Sequence, residues 1–202
     1  MHVWAFRREH ARGHRNKLFR RARVHKGRSE KGAALVEFSL ILPLLILLTF
    51  GIMELGLAFR DILTTSSAVR EGTRILSALG NDPEADCIAL NGALETLLLS
   101  GDIDKLERIE IFKAGSDGSQ IGSQTNTYTF VGTDHTDCDD WNANVLWPSI
   151  NRNVIAGGSP ALDIAGMRII YEHDYVLDFP PLTGGFTIDQ STISRLEPEE
   201  FA

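Results

Sequence analysis

The chain has 202 residues, 43% of them apolar, two cysteines and a net charge of −7, which suits one modest folded domain with an anchor. The net charge hides an asymmetry. Residues 1–32 carry eleven Lys or Arg against two Glu, whereas residues 33–202 carry nine Lys or Arg against 25 Asp or Glu. Basic arms of this kind can bind nucleic acid. Because this one directly precedes an apolar run, we prefer a topological role and expect no nucleic-acid partner.

Residues 1–32 are predicted to be a basic cytoplasmic leader. Basic flanks stay on the cytoplasmic side of a membrane, so the N-terminus is expected inside and the acidic remainder outside. A cleavable secretory signal has an apolar core of about 7–15 residues, and the run that follows residue 32 is about twice as long. The run is therefore expected to remain in the mature protein as an anchor.

Residues 33–59 are predicted to form a transmembrane helix, because 27 residues of helix measure ~40 Å against a hydrocarbon core of ~30 Å. Pro43 lies inside the span and should kink or loosen it locally. Glu37 is an unusual acid at its start, since an unpaired carboxylate in lipid costs a few kcal/mol. Stabilisation of Glu37 by the dipole of an uncleaved helix is the plainer explanation. Glu54, near the other end, is expected at the interface close to water.

Residues 60–80 are predicted to continue the span as an amphipathic helix. Apolar residues recur there with helical spacing, which places them on one face toward a soluble domain. Gly72 weakens this helix without ending it, and Gly80 is a typical C-cap. The predicted stripe consists of Ile62, Leu63, Val69, Ile75, Leu76 and Leu79.

Residues 81–202 are predicted to form an extracytoplasmic α+β domain. Asp82 as an N-cap starts a second helix that ends near Gly101. The apolar period then becomes alternating, and the last two strands are expected to pair as an antiparallel hairpin. The predicted fold is a long N-terminal helix packed against a small antiparallel sheet. The predicted strands cover residues 108–114, 128–131, 167–177 and 186–196.

The two cysteines, Cys87 and Cys138, both follow the span. Outside the cytoplasm they allow a single pairing, and we expect a disulfide rather than two buried thiols. The closed loop of about 50 residues would contribute about 4 kcal/mol in the chain-entropy description. No CxxC spacing is present, which argues against zinc and redox roles.

Four acids crowd around Cys138 and are weak candidates for calcium ligands. Their spacing is not that of an EF-hand loop, so we expect a solvated loop without metal and no other cofactor. The chain lacks the G-x-S-x-G, H-E-x-x-H and P-loop patterns, and neighbours such as His173 and Asp174 lie on opposite faces of a strand. We therefore expect no enzymatic activity. The four acids are Asp134, Asp137, Asp139 and Asp140.

Gly32, the apolar run after it and Glu37 as the fifth residue beyond Gly32 resemble a type IV prepilin processing site. The resemblance implies that a prepilin peptidase cuts between Gly32 and Ala33 and leaves the helix in the mature protein. It also implies that Glu37 pairs with the new ammonium group of its own or a neighbouring subunit, which would favour assembly in register.

More narrowly, the chain resembles the TadE-like minor pilins, or pseudopilins, of the tight-adherence (Tad or Flp) pilus systems. In that family an apolar helix with an early acid and an internal proline precedes a short Arg-Glu-Gly-x-Arg motif. Pro43 supplies the proline here. The leader is longer than usual for a pilin, and the domain is larger than the family minimum. The motif residues are Arg70, Glu71, Gly72 and Arg74.

The resemblance implies a pilin-like fold and a single-pass protein of the bacterial inner membrane, held there or incorporated into or at the base of a pilus. Its implied partners are other pilins and minor pilins, the prepilin peptidase, inner-membrane pilus assembly proteins and the lipid bilayer. One alternative is an uncleaved, signal-anchored domain that binds a ligand or envelope component. A weaker alternative is an anchored hydrolase.

Overall fold

The computed structural model describes residues 26–99, 103–132, 137–157, 161–176 and 183–198, with side chains from residue 32 onward. The chain divides into two compact units, Met1–Thr49 and Phe50–Ala202. Most of the predicted leader, Asp134 and the last predicted residue of the strand 167–177 lie outside the described residues.

The first helix, α1, covers Lys26–Leu79 and is 54 residues long. Pro43 and Gly72 both lie within it, and Gly72 does not end it, as predicted. It ends at Gly80, which has a φ of +54° and donates its N–H to the Leu76 carbonyl at 3.0 Å. A positive φ is easily adopted only by glycine, so Gly80 is the predicted C-cap.

The N-terminal unit contains the first part of α1, whose large apolar side chains are exposed to the surroundings. An 18-residue window has a mean hydropathy of 2.4, and none of that window is buried inside the protein. The Ser39 and Thr49 hydroxyls donate to the carbonyls of Val36 and Leu45, each at 2.8 Å. No polar group of these two side chains therefore needs water. By length and composition, this helix can cross a membrane.

The second unit adds one helix and a five-stranded sheet to the remainder of α1. Helix α2 is Ala85–Leu98, and short 3-10 turns occur at Ile103–Lys105, Cys138–Asp140 and Ser149–Asn151. The strands are β1 (Leu106–Ala114), β2 (Gln120–Phe130), β3 (Trp141–Asn144), β4 (Ile164–Asp174) and β5 (Gly185–Arg195). The predicted α+β fold, a long helix with a small antiparallel sheet, is therefore confirmed.

The sheet is antiparallel throughout, with the strand order β3-β2-β1-β4-β5. The predicted hairpin of the last two strands is confirmed: β4 and β5 pair along their whole length, from Ile164 opposite Arg195 to Asp174 opposite Gly185. The outer face carries cross-strand ion pairs. There Arg168 bridges Glu110 and Asp189, and its hydrogen bond lowers the pKa of the Asp189 carboxyl.

Two sheet features depart from the predictions. Strand β2 begins at Gln120, well before the predicted start at 128, because the β1–β2 turn is tight. That turn is closed by the Gly115 N–H, which donates to the Ser119 carbonyl at 2.8 Å. Strand β3 was not predicted. It has four residues, WNAN, and only Trp141 among them is buried, so it shows no alternation to detect.

Helix α2 begins slightly later than predicted. Asp82 is not its N-cap; the Asp82 carboxylate accepts the Glu84 N–H at 2.7 Å, and the helix starts at Ala85. The predicted start was wrong by two residues, because Pro83 and Glu84 form a separate turn first. Leu90, Leu94 and Leu97 are buried as predicted, whereas Leu98 is 37% exposed.

One face of the sheet packs against both helices to form the core. Val69 and Leu76 of α1 are fully buried in it, as the predicted stripe requires, but Leu63 of that stripe is 55% exposed. The face of α1 that contacts the domain differs from the predicted apolar stripe, because it consists largely of small and polar residues. A search for large apolar residues overlooks such a face. Its buried residues are Glu54, Ala58, Asp61, Thr65, Ala68, Val69, Gly72, Thr73, Leu76 and Ser77.

Candidate functional site

The predicted processing residues lie at the start of the apolar part of α1. Gly32, Ala33 and Glu37 are all exposed. A Cβ built on Gly32 would meet nothing within 4 Å, so the fold itself does not require glycine there. Within the described part of the chain, Glu37 takes part in no ion pair. Its carboxylate is therefore available to a group outside the folded domain.

The four motif residues divide between the inner and outer faces of α1. Gly72 faces inward, where a Cβ would overlap the Met167 side chain and approach the Ala93 Cβ to 3.1 Å. Glu71 and Arg74 form an exposed ion pair at 2.7 Å, and the Arg74 hydrogen bond lowers the pKa of the Glu71 carboxyl. Such a surface pair contributes little to stability. Arg70 is exposed and makes no ion pair with any described residue.

Gly72 therefore acts through packing and Arg70 through its surface position. The glycine allows α1 to approach both strand β4 and helix α2 closely. The four residues do not converge on one point, as the residues of a catalytic site would. Gly72 packs one face of the helix against the domain, and Arg70 and Arg74 lie exposed on the other face.

A buried cluster of two acids and one histidine joins α1 to β4. The His173 Nδ1 lies 2.8 Å from an Asp61 carboxylate oxygen, and the His173 Nε2 lies 3.5 Å from Glu54 Oε1. Glu54 and Asp61 are each 3% exposed, and His173 is 1% exposed. Glu54 also accepts the backbone N–H of Val176, at 3.1 Å for the nearer oxygen. The expectation that Glu54 lies close to water is therefore wrong.

The cluster satisfies most of the hydrogen-bonding groups that it buries. Arg60 adds a partner to Asp61, with its Nη2 3.1 Å from Oδ1. The His173 Nε2 lacks a hydrogen-bond partner in the described structure, because 3.5 Å from Glu54 is a contact without hydrogen-bond alignment. A buried acid in helix α1 is thus stabilised by the sheet rather than by solvent.

Sequence reasoning missed this cluster, although one signal was present. Glu54 and Asp61 are seven residues apart and so share a helix face. They continue, at spacings of three and four, into the buried small residues Ala58, Thr65 and Ala68. Their partner His173 is far away in sequence, and only the strand register brings it opposite them.

A second buried network holds the start of α2. Asp86 accepts hydrogen bonds from the Tyr128 hydroxyl at 2.6 Å and from the Asn126 amide at 2.9 Å, and it forms an ion pair with Arg152. The Arg152 guanidinium lies 4.6 Å from the centre of the Trp147 ring. Burial, and then the Asp86 carboxylate, raise the pKa of the Tyr128 hydroxyl above its usual range. The negative Asp86 also suits the positive end of the helix dipole.

Cys87 and Cys138 are bonded in the structure, with Cα atoms 5.5 Å apart. The bond links α2 to the 3-10 turn that leads into β3, across a sequence separation of 51. It therefore holds the edge strand of the sheet against α2.

The acidic residues near Cys138 do not assemble a metal site within the described residues. Asp137 uses its carboxylate to cap the turn, accepting the Asp139 N–H at 3.0 Å. Asp137 and Asp139 are exposed, and Asp140 is partly buried. Asp134, the fourth candidate, lies outside the described residues.

Comparison with known proteins identifies the N-terminal part of the chain. Residues 32–74 match the family model described as TadE-like protein. No curated protein matches the chain, and no solved structure does either. The matched stretch runs from the predicted cut site through the apolar helix to the last residue of the Arg-Glu-Gly-x-Arg motif. The TadE-like family is associated with the Tad pilus and is not an enzyme family.

With its apolar N-terminal helix, the chain is a membrane-anchored protein. Its residues 32–74 match the TadE-like family model, and this match supports a TadE-like protein of the Tad pilus system.

Proposed function

We propose that this chain is a minor pilin, or pseudopilin, that takes part in the assembly of a Flp-type pilus and in adherence. The observation that carries the proposal is the extent of the family match, which begins at Gly32 and ends at Arg74. That stretch includes the proposed cut site, Glu37, the membrane-spanning part of α1 and the motif that fastens α1 to the domain. The polar network at the N-terminus of α2 and the disulfide hold α2 to the sheet side of the domain.

The proposed processing step removes the basic leader and leaves the apolar helix. A prepilin peptidase would hydrolyse the bond between Gly32 and Ala33, which creates a free ammonium group on Ala33. Both residues are exposed, so a protease can reach them. Glu37 lies a little more than one helical turn beyond Ala33 and can pair with this ammonium group or with that of a neighbour.

In the proposed orientation the N-terminus is cytoplasmic and the domain is outside the inner membrane. The charge asymmetry supports this direction, because eleven of the chain's 20 Lys and Arg residues precede residue 33. The bonded Cys87 and Cys138 also suit an oxidising compartment. The proposed partners are other pilins and minor pilins, the prepilin peptidase and the inner-membrane pilus assembly proteins.

Mass spectrometry of the membrane-bound protein tests the processing step. The wild-type chain is expected to begin at Ala33 in cells that contain an active prepilin peptidase. Gly32→Arg should leave the leader in place, because a long cationic side chain cannot enter a site that is shaped for glycine. Gly27→Arg is the matched control: it adds the same charge and bulk five residues earlier, and processing should continue.

A full-length membrane form of the wild-type chain, in cells with active peptidase, would reject the minor-pilin proposal. It would favour instead a signal-anchored binding domain that keeps its leader. Processing that persists in Gly32→Arg would show that the cut lies elsewhere.

A further inference from the structure

One end of the sheet lies beside the last strongly apolar turns of α1. The Val176 N–H donates to Glu54, and His173 contacts Asp61. The end of the sheet at which β4 finishes and β5 begins, the β4–β5 end, therefore lies beside residues 54–61 of the helix. The opposite end of the sheet reaches Ser77, whose hydroxyl donates to the Arg195 carbonyl at 2.7 Å. Strand β5 therefore runs from the apolar end of this helical segment toward its C-terminus.

Apolar side chains are exposed on both the helix and the sheet at this level. On the helix, Leu55 is 72% exposed and Phe59 is 63% exposed. Just beyond the end of β4, Val176 is 61% exposed. Phe186 in β5 is 37% exposed, and its ring lies 6.2 Å from that of Tyr175. Large apolar side chains that share one level of a molecule indicate a binding surface.

The length of the span places this level at the edge of the bilayer. About twenty helical residues cross a hydrocarbon core, and twenty residues counted along the sequence from Ala33 end at Ile52. Glu54 follows by two residues. A sheet end that hydrogen-bonds to Glu54 therefore reaches the zone where acyl chains give way to headgroups.

We propose that the β4–β5 end of the domain is seated in the lipid headgroup region, with Val176 and Phe186 in contact with lipid. The lipid bilayer is the occupant because this surface lies at the residues of α1 that directly follow the twenty-residue span in the sequence. Its composition also fits, since aromatic residues such as Tyr175 and Phe186 favour the membrane interface. Arg60, whose side chain is 53% exposed, can extend to lipid phosphates.

This seating has a consequence for the buried cluster. Glu54 accepts the Val176 N–H and the His173 ring lies 5.1 Å from that of Phe186, so the cluster lies directly beside the two side chains that contact lipid. The two acids then lie in protein at the border of the bilayer rather than in either lipid or water. The inference rests on the membrane anchoring in the proposed function and adds a second membrane contact, made by the sheet.

The test places an environment-sensitive probe on the exposed sheet end of the full-length protein in vesicles. Val176→Cys is labelled with nitrobenzoxadiazole without reducing agent, so that Cys87 and Cys138 stay bonded. Nitroxide-bearing lipids should quench the probe about twofold or more, and its emission should shift to the blue. Thr183→Cys is a second probe position, at an exposed residue that shortly precedes β5, in case labelling at Val176 disturbs the Glu54 contact.

Ile155→Cys is the matched control. Ile155 is 52% exposed and follows Val154, which packs near Gly80, about 39 Å along α1 from Glu54. Its probe should remain water-like and unquenched. Water-like, unquenched emission at both Val176 and Thr183 would overturn the seating. Carbonate extraction of the same samples reports on the anchor separately: a protein that resists extraction but shows no quenching fails only this inference.

Discussion

At the scale of single residues, Gly72 sets the distance between α1 and the rest of the domain. A Cβ on Gly72 would overlap the end of the Met167 side chain of β4 and would lie 3.1 Å from the Ala93 Cβ of α2. Ala58 and Ala68 continue the same face, so the helix approaches the sheet along a line of small residues. The packing between α1 and the sheet therefore comes from close approach of the helix backbone rather than from large interdigitating side chains.

Gly72→Ala should therefore destabilise the domain although alanine favours helix. The added methyl would overlap Met167, and overpacking of a filled core costs about 1–3 kcal/mol. The measurement is urea unfolding of the purified full-length protein in detergent. Gly56→Ala is the control, because a Cβ there meets nothing within 4 Å, and it should not destabilise the protein. Equal stability of the two variants would contradict the packing role of Gly72.

The sequence predicted these residues unevenly. It indicated Gly72 and Arg70 through the family motif, but it could not indicate that one is buried and the other exposed. It also placed Glu54 at the membrane interface close to water, whereas the fold buries it beside His173. Helical spacing reveals which residues share a face, but the partner of a polar residue comes from the strand register, which links positions more than a hundred residues apart.

At the scale of elements, α2 is held in place by polar and covalent bonds as well as by its leucines. Asp86 fastens its first turn to β2 through Tyr128, and Cys87 in the same turn is bonded to Cys138. Both restraints act at one end of the helix. The other end is held by the leucine face that includes Leu94 and Leu97.

Replacing both Cys87 and Cys138 by serine should lower the free energy of unfolding by about 4 kcal/mol, because the bond closes a loop of some fifty residues in the unfolded chain. Urea unfolding with and without reducing agent measures the effect. Wild-type protein should lose the same stability on reduction, whereas the double variant should not respond. Two thiols that alkylate freely in unreduced, denatured wild-type protein would contradict the prediction.

The strands show why element prediction succeeds or fails. Strands β1, β4 and β5 were predicted because their sequences alternate or are rich in β-branched residues. The start of β2 reads QIGSQTNT, which is polar and contains a glycine, so only pairing with β1 makes it a strand. Strand β3 depends on β2 and on the adjacent disulfide, and neither is a local property of its four residues.

At the scale of the whole molecule, the domain and the apolar helix are two separate units of one chain. The globular unit uses the later part of α1 as a core helix. The N-terminal unit buries none of its apolar window and so needs another environment. Under the proposed function, membrane lipid would supply that environment before assembly, and helices of neighbouring subunits would supply it in a pilus.

Glu37 is the residue in the exposed apolar segment for which lipid is a poor environment. We predict that Glu37→Val leaves membrane insertion intact and abolishes piliation. Removing a charge from a span lowers the cost of insertion by a few kcal/mol, so any defect must arise in assembly. The loss would follow because the ammonium group of Ala33, in the same or a neighbouring subunit, would lack its carboxylate.

Carbonate extraction and electron microscopy of surface pili measure the two properties in the same cells. Thr49→Val is the control: it also replaces a polar side chain in this segment, but the Thr49 hydroxyl already donates to the Leu45 carbonyl of its own helix. Both insertion and piliation should survive that change. Normal piliation in Glu37→Val cells would show that the acid serves only its own helix, through the positive end of the helix dipole, and has no part in assembly.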